Sequence, residues 1–205
     1  MSRTPVEEDR VPVDWETRFA NDDTPWERGA LHPAFEHWRA RGLFEAGARV
    51  FVPGCGRSPE PEALARLGLH VTGLDLSGRA VAWQRKRFAD AGLTGNFLVA
   101  DALTFRPDTP FDLYYEQTFL CAIPPRLRGE YEEAAFEQLG PGGRLLALFM
   151  QKAEPGGPPY GCDIEAMRAL FPESRWRWPE GELPAWPHPG LEAKAERSAV
   201  LVRRG

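Results

Sequence analysis

The chain has 205 residues, 42% of them hydrophobic, and a formal net charge of -5 at pH 7, which fits a globular protein with a sizeable core. No apolar run approaches the roughly 20 residues that a membrane-spanning helix needs. The negative charge argues against nucleic-acid binding, as does the lack of any basic cluster beyond Arg85, Lys86 and Arg87.

Neither the cysteines and histidines nor the N-terminus indicate a metal site or an exported protein. Residues 1–10 are charged and polar, so we predict no secretory signal. Cys55, Cys121 and Cys162 are odd in number and far apart, which argues against a disulfide framework and a zinc site. The histidines lack metal-ligand spacing with any acid or cysteine. We therefore expect no metal and a location in the reducing cytoplasm.

The predicted elements begin with two helices, one around Trp15 to Ala20 and one from Pro33 to Arg41. From residue 49 onward, apolar strand-like runs alternate with amphipathic stretches. The predicted strands are residues 49–53, 70–75, 95–100, 111–117, 143–150 and 196–203, and the later predicted helices are residues 59–68, 77–92, 124–139 and 163–171. Such alternation is typical of a mainly parallel sheet with helices on both faces.

The end of the chain departs from this alternation. Residues 173–190 are rich in proline and tryptophan, and we expect two terminal strands with no helix between them to form an antiparallel C-terminal hairpin. The predicted fold class is therefore α/β, a Rossmann-like and mainly parallel seven-stranded sheet. We predict a single domain over residues 1–205, in which residues 1–48 form an N-terminal helical cap.

The first predicted strand runs into Gly54-Cys55-Gly56, and the second ends at Asp75. This layout is typical of nucleoside sites, because the glycines let a ligand approach the backbone and the acid accepts hydrogen bonds from ribose hydroxyls. Pro59 stands where a dinucleotide motif has its third glycine, so the pattern favours S-adenosylmethionine over NAD or FAD. Taken singly, the glycines also fit a tight turn and Asp75 a helix N-cap. Their spacing favours the ligand.

A polar residue also ends the third predicted strand. Asp101 stands where a carboxylate can meet an adenine amino group, although a turn-forming aspartate fits the same position. In open α/β sheets, ligands bind beyond the carboxyl ends of the strands, where the strand order reverses. Because three successive strands end in suitable residues, we predict a nucleoside site at that edge.

Several motifs occur together along most of the chain. They are Trp15 with Phe19, Asp23-Thr24-Pro25-Trp26-Glu27-Arg28-Gly29, residues 52–57, residues 73–77, Asp101-Ala102, Phe111-Asp112, residues 117–123 and Gly156-Gly157-Pro158-Pro159-Tyr160. With these motifs the chain resembles class I S-adenosylmethionine-dependent methyltransferases. More narrowly, it resembles the thiopurine S-methyltransferase superfamily, on the branch that includes halide and thiol methyltransferases.

The resemblance implies S-adenosylmethionine as cofactor, with Trp15, Phe19 and Trp26 folded over it as a lid. Trp15 and Trp26 alternatively pack the cap against the sheet, and only the tertiary fold can bring them together, because Pro25 interrupts any helix between them. The other implied cofactor contacts follow the strand ends: Gly54 at the amino-acid portion, Asp75 at the ribose, Asp101 with Ala102 at the adenine end, and Gln117 nearby.

Two parts of the chain depart from the family pattern. Glu116-Gln117 stands where related halide enzymes commonly carry Asp-Tyr, and the arginine that thiopurine enzymes have after this strand has no counterpart here. The C-terminal third, with Trp176, Trp178 and Trp186, matches poorly. The cofactor is therefore better indicated than the substrate.

The implied activity is methyl transfer to a small soft nucleophile such as a thiol, sulfide, thiocyanate or halide. No His/Asp or Ser/His set stands out, which fits an in-line displacement that needs no obligate base. Cys121 and Tyr160 are candidates for the substrate-pocket wall. A free cysteine is more commonly a small buried apolar residue, and Tyr160 equally fits a cap on the proline-rich loop.

Two other activities remain open at this point: methyl transfer to oxygen or nitrogen of a larger metabolite, and binding of S-adenosylmethionine without catalysis. A small-molecule substrate is the partner that the sequence indicates, and it indicates no oligomeric state.

Overall fold

A computed structural model describes residues 13–188 and 194–205. The helices are α1 (Trp15–Ala20), α2 (Pro33–Ala40), α3 (Glu60–Arg66), α4 (Gly78–Asp90), α5 (Arg128–Gln138) and α6 (Ile164–Leu170), with a short 3-10 helix at Pro125–Leu127. The strands are β1 (Arg49–Pro53), β2 (His70–Asp75), β3 (Asn96–Val99), β4 (Phe111–Glu116), β5 (Leu139–Gln151), β6 (Trp176–Arg177), β7 (Ala185–Pro187) and β8 (Ala195–Arg203).

All of these strands belong to one sheet in the order β3-β2-β1-β4-β5-β8-β6, with β7 paired to β8. The pairs among β1 to β5 are parallel, and β8 runs antiparallel to β5, β6 and β7. The strand order reverses between β1 and β4, so the loops after these strands diverge and leave a crevice at their carboxyl ends. This arrangement confirms the predicted α/β class with its antiparallel C-terminal part.

The side chains of the central strands alternate between two hydrophobic layers, as the two-residue period of a strand requires. Tyr114 faces the layer that includes residues of α5 and α6, and its neighbour Tyr115 faces the layer that includes residues of α2, α3 and α4. Both tyrosines are at most 1% exposed. The sheet is therefore covered on both faces, which explains the nearly continuous apolar runs of β1 and β5.

Local signals set the starts of the two N-terminal helices. Asp14 accepts a hydrogen bond from the backbone N–H of Thr17 (3.0 Å) and caps α1. The ring of His32 caps α2 by accepting from the N–H of Ala34 (3.0 Å), and Pro33 follows at the first helical position. Residues 1–12 of the predicted cap lie outside the described residues.

The structure adds a strand to the seven predicted and shifts two boundaries. β6 and β7 have 2 and 3 residues, too few to show a periodic pattern. α5 begins at Arg128 rather than 124, because the prolines before it favour a 3-10 turn. β5 begins at Leu139, earlier than predicted. No helix within the described residues is long and apolar enough to span a membrane.

Candidate active site

A cavity of about 410 Å³ opens at the carboxyl ends of the parallel strands. Its size lies within the range of about 300 to 1,000 Å³ that is usual for small-molecule sites. All the residues predicted for the site line it: Trp15, Phe19, Trp26, Gly54, Asp75, Asp101, Ala102, Gln117, Cys121 and Tyr160. The fold thus brings together residues that are up to 145 positions apart in sequence.

The glycine loop after β1 is held from both sides. The Asp75 carboxylate accepts hydrogen bonds from the backbone N–H of Gly56 (2.9 Å) and of Ser77 (2.8 Å). From α4, the buried amide of Gln84 donates to the carbonyls of Gly56 (3.0 Å) and Ser58 (2.9 Å). Sequence reasoning missed Gln84, because its role depends on tertiary contacts. These hydrogen bonds fix the conformation of the loop.

Asp75 itself is almost fully buried, with 8% of its surface exposed. Burial raises its pKa above the ordinary aspartate value, although the N–H groups of Ser77 and Gly56 favour the charged form. Each carboxylate oxygen accepts one backbone hydrogen bond and can accept another. Asp75 therefore supports the loop and can still accept a bond from a ligand hydroxyl.

Gly54 lies in the left-handed region (φ 53°), and a Cβ there would come within 2.5 Å of the Phe119 ring. We predict that Gly54→Ala lowers the free energy of unfolding by about 1 to 3 kcal/mol more than Gly92→Ala does. Gly92 is the matched control, because it has φ 65° but no atom within 4 Å of the place where a Cβ would stand. Chemical denaturation measures both, and equal losses would contradict the close contact.

Three aromatic rings from the N-terminal segment cover one side of the cavity. α1 ends at Ala20, and a turn that includes Asp22 in the left-handed region (φ 52°) brings the chain back. Trp26 then meets Trp15 edge-to-face at 5.5 Å and Phe19 at 5.8 Å between ring centroids. The tertiary fold thus makes the two tryptophans converge, as the interrupted helix requires.

The aromatic segment is tied to the glycine loop by Arg57. Its guanidinium donates to Glu27 (2.7 Å), to Asp22 (2.7 Å) and to the hydroxyl of Thr24 (2.9 Å). We call Arg57 with these three partners the clasp.

A second tie joins α1 to the start of α4. The Glu16 carboxylate accepts from the hydroxyl of Ser77 (2.6 Å) and forms an ion pair with Arg79 (3.2 Å). The N-terminal segment therefore contacts the residues that follow both β1 and β2.

Asp101 and Ala102 line the cavity beyond β3. The exposed carboxylate of Asp101 accepts from the backbone N–H of Leu103 (2.9 Å), which is the hydrogen bond of a turn-forming aspartate. Both interpretations of Asp101 thus fit its position, since the same side chain closes a turn and faces the cavity.

The loop after β4 is organised by Glu116, a fully buried acid. One carboxylate oxygen accepts from the N–H groups of Phe119 (3.0 Å) and Leu120 (2.8 Å), and the other accepts from Leu148 of β5 (3.0 Å). Burial raises the pKa of Glu116 to about 7. The next residue, Gln117, lines the cavity, and its side-chain oxygen accepts from the Tyr115 hydroxyl (3.2 Å).

Cys121 and Tyr160 form adjoining parts of the wall, and the backbone N–H of Tyr160 donates to the carbonyl of Cys121 (2.7 Å). Both are at most 5% exposed. Burial raises the pKa of the Cys121 thiol well above its ordinary value, and the thiol donates to the carbonyl of Thr118 (3.4 Å). Cys121 is therefore a protonated wall residue rather than a nucleophile.

The tryptophans of the C-terminal third do not line the cavity. Trp176 and Trp178 are buried among the helices and donate to Glu132 (2.5 Å) and to the carbonyl of Phe171 (2.8 Å). Trp186 donates to Ser198 (3.0 Å). The segment after β7 contributes a different cavity residue, His188, which the sequence did not indicate.

The family model for thiopurine S-methyltransferase matches residues 11–180. The chain belongs to the thiopurine S-methyltransferase family. A probable thiol methyltransferase 2 of Arabidopsis thaliana is 35% identical over 162 residues, which are 77% of this chain and 71% of that protein. A thiopurine S-methyltransferase of Xanthomonas campestris pv. campestris is 32% identical over 189 residues, 82% of this chain and 84% of that one.

Among solved structures, the 1,6-didemethyltoxoflavin-N1-methyltransferase of Burkholderia thailandensis, with bound 1,6-didemethyltoxoflavin and S-adenosylhomocysteine, has the same fold. Its TM-score is 0.76 at 17% identity, with 100% of this chain and 92% of that chain covered. This member of the thiopurine S-methyltransferase family is therefore an S-adenosylmethionine-dependent methyltransferase with the class I fold. The predicted family, fold and cofactor are confirmed.

The residues of this family member fit the cofactor chemically. The glycine loop leaves backbone groups accessible, and Asp75 supplies an acceptor for hydroxyl groups. Leu76, directly after β2, lines the cavity with 56% of its surface exposed, so an aromatic base can cover an apolar side chain there. The aromatic faces of Trp15 and Trp26 suit a positively charged sulfonium.

Proposed function

We propose that this methyltransferase transfers the methyl group of S-adenosylmethionine to a small soft nucleophile, namely a thiol, sulfide, thiocyanate or halide. The observation that carries the proposal is that two buried, uncharged side chains, Cys121 and Tyr160, line the cavity side by side. Such a wall removes water from a soft nucleophile without offering it a strong base. The similarity to a thiol methyltransferase points the same way.

The cofactor is proposed to lie at the carboxyl ends of β1, β2 and β3. When bound, S-adenosylmethionine supplies a sulfonium methyl group that a nucleophile takes in a single in-line displacement. The proposed contacts are Gly54 at the amino-acid portion, Asp75 at the ribose, Asp101 and Ala102 at the adenine end, Gln117 nearby, and Trp15, Phe19 and Trp26 as the lid. Their support is that all line one cavity.

The acceptor is proposed to lie at the carboxyl ends of β4 and β5 and beside the start of β8, which we call the acceptor half. Met150 at the end of β5 lines the cavity there with Cys121 and Tyr160. Because Cys121 stays protonated, it does not itself act as a base or a nucleophile toward the acceptor. The role of the wall is then to position and desolvate that acceptor.

Other features of the proposal rest on the sequence. A single domain whose cap covers the cofactor, a location in the cytoplasm and the absence of nucleic-acid partners stay predictions. The described cysteines are all free and buried, which suits a reducing compartment.

Calorimetric titration with S-adenosylhomocysteine, followed by headspace detection of methanethiol, methyl thiocyanate or methyl iodide, tests the activity. We expect binding and a volatile product. Methylation confined to oxygen or nitrogen acceptors would instead indicate a methyltransferase of larger metabolites. Binding without methyl transfer to any acceptor would indicate a non-catalytic binding protein. Absence of binding would contradict the proposed site.

Asp75→Ala tests the ribose contact within that experiment. We expect the Kd for S-adenosylhomocysteine to rise at least about 10-fold, because ribose hydroxyls lose an acceptor. Asp163→Ala is the matched control, since Asp163 also accepts from two backbone N–H groups (3.0 and 3.1 Å) but lies outside the cavity. Equal Kd values in the two variants would exclude Asp75 from the site.

A further inference from the structure

An ion pair with a residue of β8 holds Arg28 in the acceptor half of the cavity. Its guanidinium donates to the Glu196 carboxylate, and Glu196 stands opposite Met150 in the pairing of β8 with β5. Met150 and Arg28 both line the cavity. Arg28 is thus held over the strands that carry the proposed acceptor rather than over β1, β2 and β3.

In the described part of the chain, three arginines that line the cavity form ion pairs, and Arg28 has the least exposed side chain among them. Its side chain is 8% exposed, against 26% for Arg18 and 22% for Arg57. Its Nε has no hydrogen-bond partner among the described residues. Because this atom is itself buried, a ligand in the cavity meets Arg28 through the charge of its guanidinium rather than through Nε.

The partners of Arg28 hold it by one carboxylate oxygen. Glu196 Oε2 accepts from Arg28 and also from His32 (3.0 Å). His32 Nδ1 accepts from the N–H of Ala34, so its proton is on Nε2 and points at Glu196. Burial alone would raise the pKa of Glu196, but His32 and Arg28 hold it below its ordinary value.

The other ionisable groups around Arg28 include His188 and Tyr115, and the carboxyl groups of Glu60 and Glu116 act on Tyr115 as well. Burial lowers the pKa of His188, which lines the cavity beside it. The Tyr115 hydroxyl stays protonated, since burial raises its pKa well above the usual value, and it donates to the side-chain oxygen of Gln117. The NH2 group of Gln117 therefore remains a second donor on this side of the cavity.

We propose that Arg28, positioned by Glu196 and His32, forms with Gln117 an anion subsite that makes the enzyme prefer small anionic acceptors, of the thiocyanate or hydrosulfide type, over neutral thiols. This inference rests on the proposed function. The guanidinium supplies a positive charge at the cavity wall, and the amide supplies a neutral donor. A neutral thiol gains nothing from either group.

The double variant Arg28→Met/Glu196→Gln tests the subsite without leaving a lone carboxylate buried. We expect the ratio of KM for thiocyanate to KM for 2-mercaptoethanol to rise at least about 10-fold. We expect a similar rise in the Kd for thiocyanate, titrated into the complex with S-adenosylhomocysteine. Arg144→Met/Glu45→Gln is the control, since it removes an exposed ion pair (3.0 Å) outside the cavity.

Glu196→Gln alone makes the opposite prediction, because it leaves the charge of Arg28 uncompensated. We expect the same KM ratio to fall by about 3-fold. A merely structural role for Arg28 would shift both acceptors alike in both variants, which would overturn the inference. A KM ratio that rises in the double variant and falls in Glu196→Gln would support it.

Three further outcomes separate this inference from the proposed function. If the wild-type enzyme methylates thiols, and thiocyanate is neither methylated by it nor inhibits it, the subsite is refuted while the proposed function is retained. A double variant that loses affinity for S-adenosylhomocysteine with an unchanged KM ratio would show that Arg28 holds the cofactor instead. An enzyme that methylates no soft nucleophile would contradict the proposed function itself.

Discussion

Trp26→Ala should raise the Kd for S-adenosylhomocysteine by about 10- to 100-fold while leaving the sheet folded. Trp26 contacts both Trp15 and Phe19, so its loss opens the lid at its centre. Its ring is half-buried at the cavity rather than in either hydrophobic layer of the sheet. Calorimetry gives the Kd, and circular dichroism checks the fold.

Trp186→Ala is the matched control for this prediction. Trp186 is also half-buried, yet it lies outside the cavity and donates to Ser198. We expect this variant to lose stability and to bind S-adenosylhomocysteine within about 3-fold of the wild type. Similar Kd values for the two tryptophan variants would mean that Trp26 serves only to pack the cap.

Glu116→Ala should lower the free energy of unfolding by about 3 to 5 kcal/mol, among the largest effects expected of a single change in this chain. The substitution leaves three backbone N–H groups without their acceptor: those of Phe119, Leu120 and Leu148. Denaturant titration measures the loss. Glu132→Ala is the control, because Glu132 is also buried but accepts from side chains rather than from the backbone. A smaller loss at Glu116 than at Glu132 would contradict this account.

The pKa of Glu116 also predicts how stability depends on pH. Its folded pKa of about 7 exceeds the ordinary value of 4.5, so the folded state binds this proton more tightly than the unfolded chain does. The resulting stabilisation is fully present below pH 4.5 and is lost as the pH rises through 7. Relative to Glu116→Gln, the wild type should lose about 2 kcal/mol between pH 5 and pH 8. A constant difference between the two proteins across that range would refute the raised pKa.

The sequence predicted most of the sheet and the glycine-loop side of the cavity because both depend on local patterns. β1 and β2 are short apolar runs, and Gly54 and Asp75 follow them at a spacing that reflects strand and turn lengths. Trp26 entered through family resemblance, since its place beside Trp15 depends on the turn between them. The strands, Gly54 and Asp75 could be predicted because neighbours in sequence determine them, whereas the position of Trp26 could not.

The rest depends on contacts between distant parts of the chain. Arg28 and Glu196 are 168 positions apart, and nothing near either residue indicates their pairing. The amide of Gln84 and the ring of His188 likewise acquire their places only when the sheet has formed. β7 was missed for a different reason, because 3 residues carry no measurable period.

The clasp predicts that the rate at which the cofactor dissociates depends on salt concentration. Arg57 belongs to the glycine loop, whereas Asp22 and Glu27 belong to the segment that carries the aromatic rings. In the proposed complex, release of the demethylated cofactor requires that segment to move away and these charges to separate, and at 0.1 M salt their attraction is largely screened beyond about 10 Å. We therefore expect the residence time of the spent cofactor to shorten as the ionic strength of the medium rises.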